Sequence, residues 1–105
     1  MKYRVERTDT ADSLLRKIVL SIAENFGPDA ALEKLDYLEK SINGLGNNTY
    51  MGTEPKYSVL RRQGYLVLIL EKGLVFYKVD DRQKLVTVYA VVDQRQDYLS
   101  IVLGL

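Results

Sequence analysis

The stretch YLVLILEKGLVFYKVDDRQKLVTVYAVV, residues 65–92, decides the fold. It contains three apolar runs: Tyr65 to Leu70, Leu74 to Val79 and Leu85 to Val92. Each has strand length and is rich in the β-branched and aromatic residues that pack well on a pleated surface. The connections, Glu71-Lys72-Gly73 and Asp80 to Lys84, are too short for anything but hairpin turns, so the runs form an antiparallel meander. Val86, Val88 and Val92 alternate with Leu85, Tyr89 and Val91, which makes the last strand apolar on both faces. One of those faces needs a cover from elsewhere. A partner groove on that face is one outcome, since a contiguous exposed apolar patch usually marks a binding site. The C-terminal tail or the central loop folding over it is the other.

Working outward, Lys2 to Arg7 reads as a short strand, and Thr8-Asp9-Thr10 supplies candidate helix caps. Ala11, Leu14, Leu15, Ile18, Val19, Ile22 and Phe26 then recur at helical spacing, giving one continuous apolar stripe. Gly27-Pro28 ends that helix and opens a second, with its stripe at Leu32, Leu35, Leu38 and Ile42. So short a connection folds the two helices into an antiparallel hairpin. Asn43 to Lys56, rich in Gly, Asn and Thr, reads as the longest irregular stretch and the expected seat of mobility. Tyr57 to Gln63 fits either a short strand or a helical turn, and Leu99 to Leu103 is an apolar tail. The resulting expectation is an α+β fold, β-α-α-β-β-β, as a single domain over residues 1–105. Its sheet is four-stranded and mainly antiparallel, with the helical hairpin on one face. Leu15, Ile18, Ile22, Leu35, Leu38, Val86 and Val88 are the expected core.

Composition excludes several chemistries. Hydrophobic residues make up 47% and charged residues 28% of the 105, the balance of a soluble globular domain. The chain has no cysteine and no histidine. Disulfides, thiolate zinc sites and Ser–His or Cys–His triads are therefore excluded, and no metal or other cofactor is expected. Proton transfer would fall to Tyr, Lys, Asp or Glu, with Arg for charge stabilisation. The formal net charge of +1 leaves no chain-wide footprint for nucleic acid. The start alternates polar and apolar residues, unlike a signal peptide, and no apolar run reaches the ~18 residues of a membrane span. The expected setting is the cytoplasm, without membrane contact.

The segment from Lys56 to Leu103 resembles the C-terminal half of RelE/ParE-type toxins of type II toxin–antitoxin systems. The shared pieces are Gly64-Tyr65 entering a strand, Val75-Phe76-Tyr77-Lys78-Val79-Asp80-Asp81, Val86 to Val92, and Arg95-Gln96-Asp97-Tyr98. At the front, Thr8-Asp9-Thr10-Ala11 after the first strand is similar to the family's opening. The resemblance implies a helical hairpin on one face of a twisted sheet and an open concave face opposite. It also implies a cognate antitoxin that wraps the toxin, with operator DNA contacted only through the antitoxin complex.

Two targets follow from the resemblance. A ParE-like toxin acts on DNA gyrase by protein contact and needs no catalytic set. A RelE-like toxin is a ribosome-dependent mRNA endoribonuclease, in which Arg95 and Tyr98 would be the catalytic pair. A decayed toxin that only binds its antitoxin is the third alternative, and a plain interaction module on an α/β scaffold the fourth. Arg61, Arg62 and Arg95 are the candidate target-binding residues in either toxin reading. The RNase members place cations on the meander where this chain has Leu66, Leu68 and Leu74, and a histidine common after the last strand is replaced by Asp93. Those departures favour the gyrase reading. Solvated arginines at positions 61, 62 and 95 and a packing role for Tyr98 are the plain structural alternatives.

Overall fold

The computed structural model describes residues 2–94 and 96–105. Strand β1 (Arg4–Arg7) is followed by helices α1 (Asp9–Phe26) and α2 (Pro28–Asn43). Helix α3 (Ser58–Arg62) then leads into strands β2 (Leu66–Leu70), β3 (Gly73–Asp80) and β4 (Leu85–Asp93), and helix α4 (Tyr98–Leu103) closes the chain. The sheet order is β1-β4-β3-β2. The meander is antiparallel as expected, and β1 joins it parallel to β4, with Val5 opposite Val86. A parallel partner needs a long crossover, which the helical hairpin supplies.

Local signals account for the hairpin. Thr8 caps α1, its hydroxyl oxygen accepting from the Ala11 N–H at 3.0 Å. Asp9 and Asp12 sit in the first turn, where the helix dipole favours anions. Gly27, at φ 92°, ends α1 in a conformation only glycine adopts without strain, and Pro28 begins α2 at once. Arg7 of β1 bonds Asp12 of α1 at 2.8 Å and Glu39 of α2 at 3.4 Å, fastening the hairpin to the sheet edge.

The first face of the sheet packs under α1 and α2. Leu15, Leu38, Val86 and Val88 are buried there as anticipated, and Ile18 and Leu35 pack at the margin. Ile22 is only half-buried, and Phe26 and Leu32 are 76% and 63% exposed. The helical stripes are longer than the sheet they cover, so their ends at the closed turn of the hairpin have nothing beneath them.

A bulge changes the face assignment along β4. Phe76 pairs with Ala90 but Tyr77 with Val88, which leaves Tyr89 as an extra residue. Past it the alternation inverts, because one inserted residue exchanges the two faces. Val91 therefore joins Val86 and Val88 on the first face, while Val92 joins Ala90 on the second. The simple alternation expected from sequence put Val92 with Val86 and Val88.

The second face is not open. Helix α3, the resolution of the ambiguous Tyr57–Gln63 segment, buries Leu60 on it, and the tail helix α4 buries Val102. Asp97 caps α4, its carboxylate accepting from the Ser100 N–H at 3.5 Å and from the Ser100 hydroxyl at 2.9 Å. Of the two outcomes for the second apolar face, the tail covers it.

The central loop is tied down rather than free. A 3-10 turn at Gly44–Gly46 buries Leu45, and Thr53 exchanges two backbone hydrogen bonds with Val67, of 2.8 and 2.9 Å. Tyr77, fully buried, donates its hydroxyl to the Thr49 carbonyl at 2.9 Å and accepts from the Gly52 N–H at 3.1 Å. A Cβ at Gly52 would lie 2.4 Å from that hydroxyl, so the close approach excludes any side chain. The Asp81 carboxylate accepts from Tyr3 at 2.5 Å and Tyr50 at 2.6 Å, joining the chain start, the loop and the β3–β4 turn.

Tyr77→Phe should lower stability by about 1–3 kcal/mol in urea unfolding, because it strands a buried carbonyl while keeping the ring. The Asp81 bond pushes the Tyr50 phenol up to about 12. A raised folded value means the bond's contribution is complete below the ordinary tyrosine range near ~10. It is lost as pH rises through the folded value. Alkaline absorbance titration should show late-ionising phenols, and Asp81→Ala should move those of Tyr3 and Tyr50 back toward the ordinary range.

Candidate functional site

Aromatic side chains form a continuous row across the second face. Tyr57 lies 5.7 Å from Tyr98, Tyr98 5.5 Å from Phe76, Phe76 6.3 Å from Tyr65 and Tyr65 5.6 Å from Tyr89, as ring centroids. The last two contacts are edge-to-face, the arrangement that ring quadrupoles favour. Local backbone features build the row. Gly64, at φ 90°, turns the chain from α3 into β2 and delivers Tyr65, whose N–H bonds the Leu60 carbonyl at 3.2 Å. The bulge sets Tyr89 and Ala90, two successive residues, on the same face. Burial pushes the Tyr65 phenol above its ordinary range, with neighbouring Tyr89 adding to the effect.

An ammonium group sits at each end of the row. Lys56 Nζ is 5.5 Å from the Tyr57 ring, and Lys78 Nζ is 4.5 Å and 5.1 Å from the Tyr65 and Tyr89 rings. Neither lysine was among the residues singled out from sequence. The signal for Lys78 was present: it is the one cation in an otherwise apolar strand run, Leu74 to Val79.

The sequence-derived candidates divide. Tyr98 is in the row, half-buried, and its ring anchors α4 against Tyr57 and Phe76. The Arg61 guanidinium donates to the carbonyls of Pro55 and Lys56 at 2.8 and 3.0 Å, stapling the loop that precedes α3. Arg62 is exposed in the last turn of α3. Arg95 lies outside the described residues. Of the three leucines at cation positions, Leu66 and Leu68 face the helical hairpin and only Leu74 is on the second face. Val67, also on that face, is likewise apolar. Among the described residues the face thus offers aromatic rings with ammonium groups at the two ends of the row.

The second open surface is a groove of about 1000 Å³ where the hairpin's closed end parts from the sheet. Ile22, Phe26 and Tyr37 line it from the helices, and Val91 and the β2–β3 turn from the sheet. The Tyr37 hydroxyl accepts from the Glu71 N–H at 3.3 Å across it. Exposed apolar surface therefore lies here, in a different place from the sheet face anticipated. Among the described residues there is no metal-binding group of three or more acidic, His or Cys side chains, and no helix long and apolar enough to cross a membrane.

A family model described as the ParE toxin of the type II toxin–antitoxin system, parDE, matches residues 5–98. Among solved structures, the chromosomal ParDE system of P. aeruginosa is similar, with a TM-score of 0.72 at 18% identity over 88% of this chain and 96% of that one. The RelBE2 toxin–antitoxin complex of Mycobacterium tuberculosis follows, with a TM-score of 0.66 and 18% identity over 91% and 95% of the two chains. The isolated E. coli RelE toxin has a TM-score of 0.56 and 14% identity over 97% and 96%. At these identities the likeness is one of fold. No curated protein matches in sequence.

Proposed function

The chain belongs to the ParE toxin family of type II toxin–antitoxin systems, and from that premise we propose that it arrests bacterial growth by binding DNA gyrase and is neutralised by a cognate antitoxin. The observation that carries the gyrase reading is the second face. Attack by a ribose 2′-hydroxyl needs charge stabilisation and a proton donor for the leaving group. Leu74, Val67 and Phe76 occupy the middle of that face instead, and Tyr98 is committed to holding α4. What stays accessible beside the covering helices is the end of the aromatic row with Lys78, and an aromatic edge with a single cation suits contact with a protein.

The groove at the hairpin mouth supports the antitoxin half of the proposal. Phe26, 76% exposed, lines it beside Ile22 and Tyr37. An amphipathic helix or an extended segment of the antitoxin would bury Phe26 against those two side chains. Co-structures of related toxins carry the same sense, since a ParDE system and a RelBE2 complex are among the similar folds.

Expressed alone, the chain should stop growth, and the purified protein should inhibit gyrase supercoiling or accumulate cleaved DNA complexes while ribosome-bound mRNA stays intact. Codon-specific mRNA cuts lost on Arg95→Ala or Tyr98→Phe would replace gyrase with the ribosome. Absence of any growth effect would leave a decayed toxin. Phe26→Asp should weaken capture of the co-encoded antitoxin by about tenfold or more in a pull-down titration. Unchanged capture would move the antitoxin off the groove.

A further inference from the structure

Lys78 is a cation held in place without an anion. Lysine normally keeps its head in water on a flexible stem, and ordering that stem is entropically unfavourable. Here the ammonium stands over two tyrosine rings at once, at 4.5 and 5.1 Å, and those rings are themselves locked edge-to-face. Among the described residues only Arg4, Arg7 and Lys40 make ion pairs, so what sets Lys78 apart from the other unpaired cations is the two rings it stands over, where Lys34, Lys56 and Lys84 each meet one. On the same face, Asp80 lies two residues along β3 with its carboxylate accepting from the Gln83 N–H at 3.0 Å, and Glu6 is reached through Thr87, two strand spacings away, roughly 10 Å. Glu6 is already bonded to Arg4 at 2.9 Å. Helices α3 and α4 cover Phe76 and Val92, and Lys78 lies beyond them on β3, half-buried and next to the turn.

We propose that Lys78, oriented by Tyr65 and Tyr89, is a specificity-determining contact that takes a carboxylate from an acidic segment of the target protein. The proposal rests on the reading of the chain as a growth-arresting toxin. An ammonium presented by rigid rings loses little further freedom when a carboxylate arrives, so it discriminates strongly between acidic and other segments. The choice of a protein carboxylate over a nucleic-acid phosphate follows from the charge count. Backbone binding of nucleic acid depends on several cations acting together, whereas the same-face neighbours of Lys78 are Asp80 along β3, Thr87, and the Arg4–Glu6 ion pair on β1. Aromatic residues around a single cation match the composition of protein–protein contact centres.

The test uses the whole chain under inducible expression, with purified DNA gyrase holoenzyme as the probe in vitro. Lys78→Glu and Lys78→Gln should restore colony formation and raise the concentration needed for half-inhibition of supercoiling by about tenfold or more. Lys78→Arg should stay toxic, and circular dichroism melting should confirm that each variant is folded. A parent chain that does not arrest growth sinks the toxin reading itself. A parent that arrests growth alongside an equally potent, folded Lys78→Glu or Lys78→Gln sinks this inference alone. Loss of retention on a DNA or RNA oligonucleotide in the Lys78→Glu variant, with gyrase inhibition unchanged, would also overturn it and assign Lys78 to nucleic acid.

Discussion

Strand β4 is the constraint from which the rest of this molecule follows. It lies between β1 and β3, so both of its edges are hydrogen-bonded, and its side chains are apolar on both faces. Val86, Val88 and Val91 on one side and Ala90 and Val92 on the other are at most 1% exposed. Burial on that scale is favourable only if each face has its own layer, since apolar surface left in water forfeits about 25 cal/mol per Å². The helical hairpin is one layer. Helices α3 and α4 are the other, and neither is long enough to persist alone, so their order depends on the strand they cover.

Polar groups inside this framework are used to hold irregular backbone. The Tyr77 hydroxyl is buried between Thr49 and Gly52 and satisfies both, which a hydroxyl does by donating and accepting at once. Asp81 does comparable work at the surface, where its carboxylate is held below the ordinary range by the two phenols that donate to it. Both residues come from the β3–β4 hairpin. The loop between the helical hairpin and the meander thus takes its shape from the sheet rather than from its own sequence.

The division between covered and uncovered surface also orders the functional reading. With the second face closed over most of its length by α3 and α4, what remains accessible there is the end of an aromatic row with Lys78 beside it. A groove with exposed apolar lining lies at the hairpin mouth, on the opposite side of the sheet. Under the proposed function, target and antitoxin would engage different parts of the molecule.

Periodicity and turn chemistry are local, and everything governed by them was legible in the sequence. The two helices, the Thr8 cap, the Gly27-Pro28 break and the three meander strands depend on residues within a few positions of one another. The resemblance carried by Val75 to Asp81 and Val86 to Val92 placed the chain in its family for the same reason, as contiguous motifs. What only the tertiary structure decided depends on distant partners. Register set the bulge at Tyr89 and so reversed the faces of Val91 and Val92, which no alternation pattern discloses. The length of the sheet determined that Phe26 and Leu32 would be exposed although they continue apolar stripes. Lys78 read as one cation in a strand until Tyr65 and Tyr89, 13 and 11 positions away in sequence, closed around it. A side chain's neighbours along the chain fix its local conformation, but its chemistry is set by what folding brings within a few ångströms.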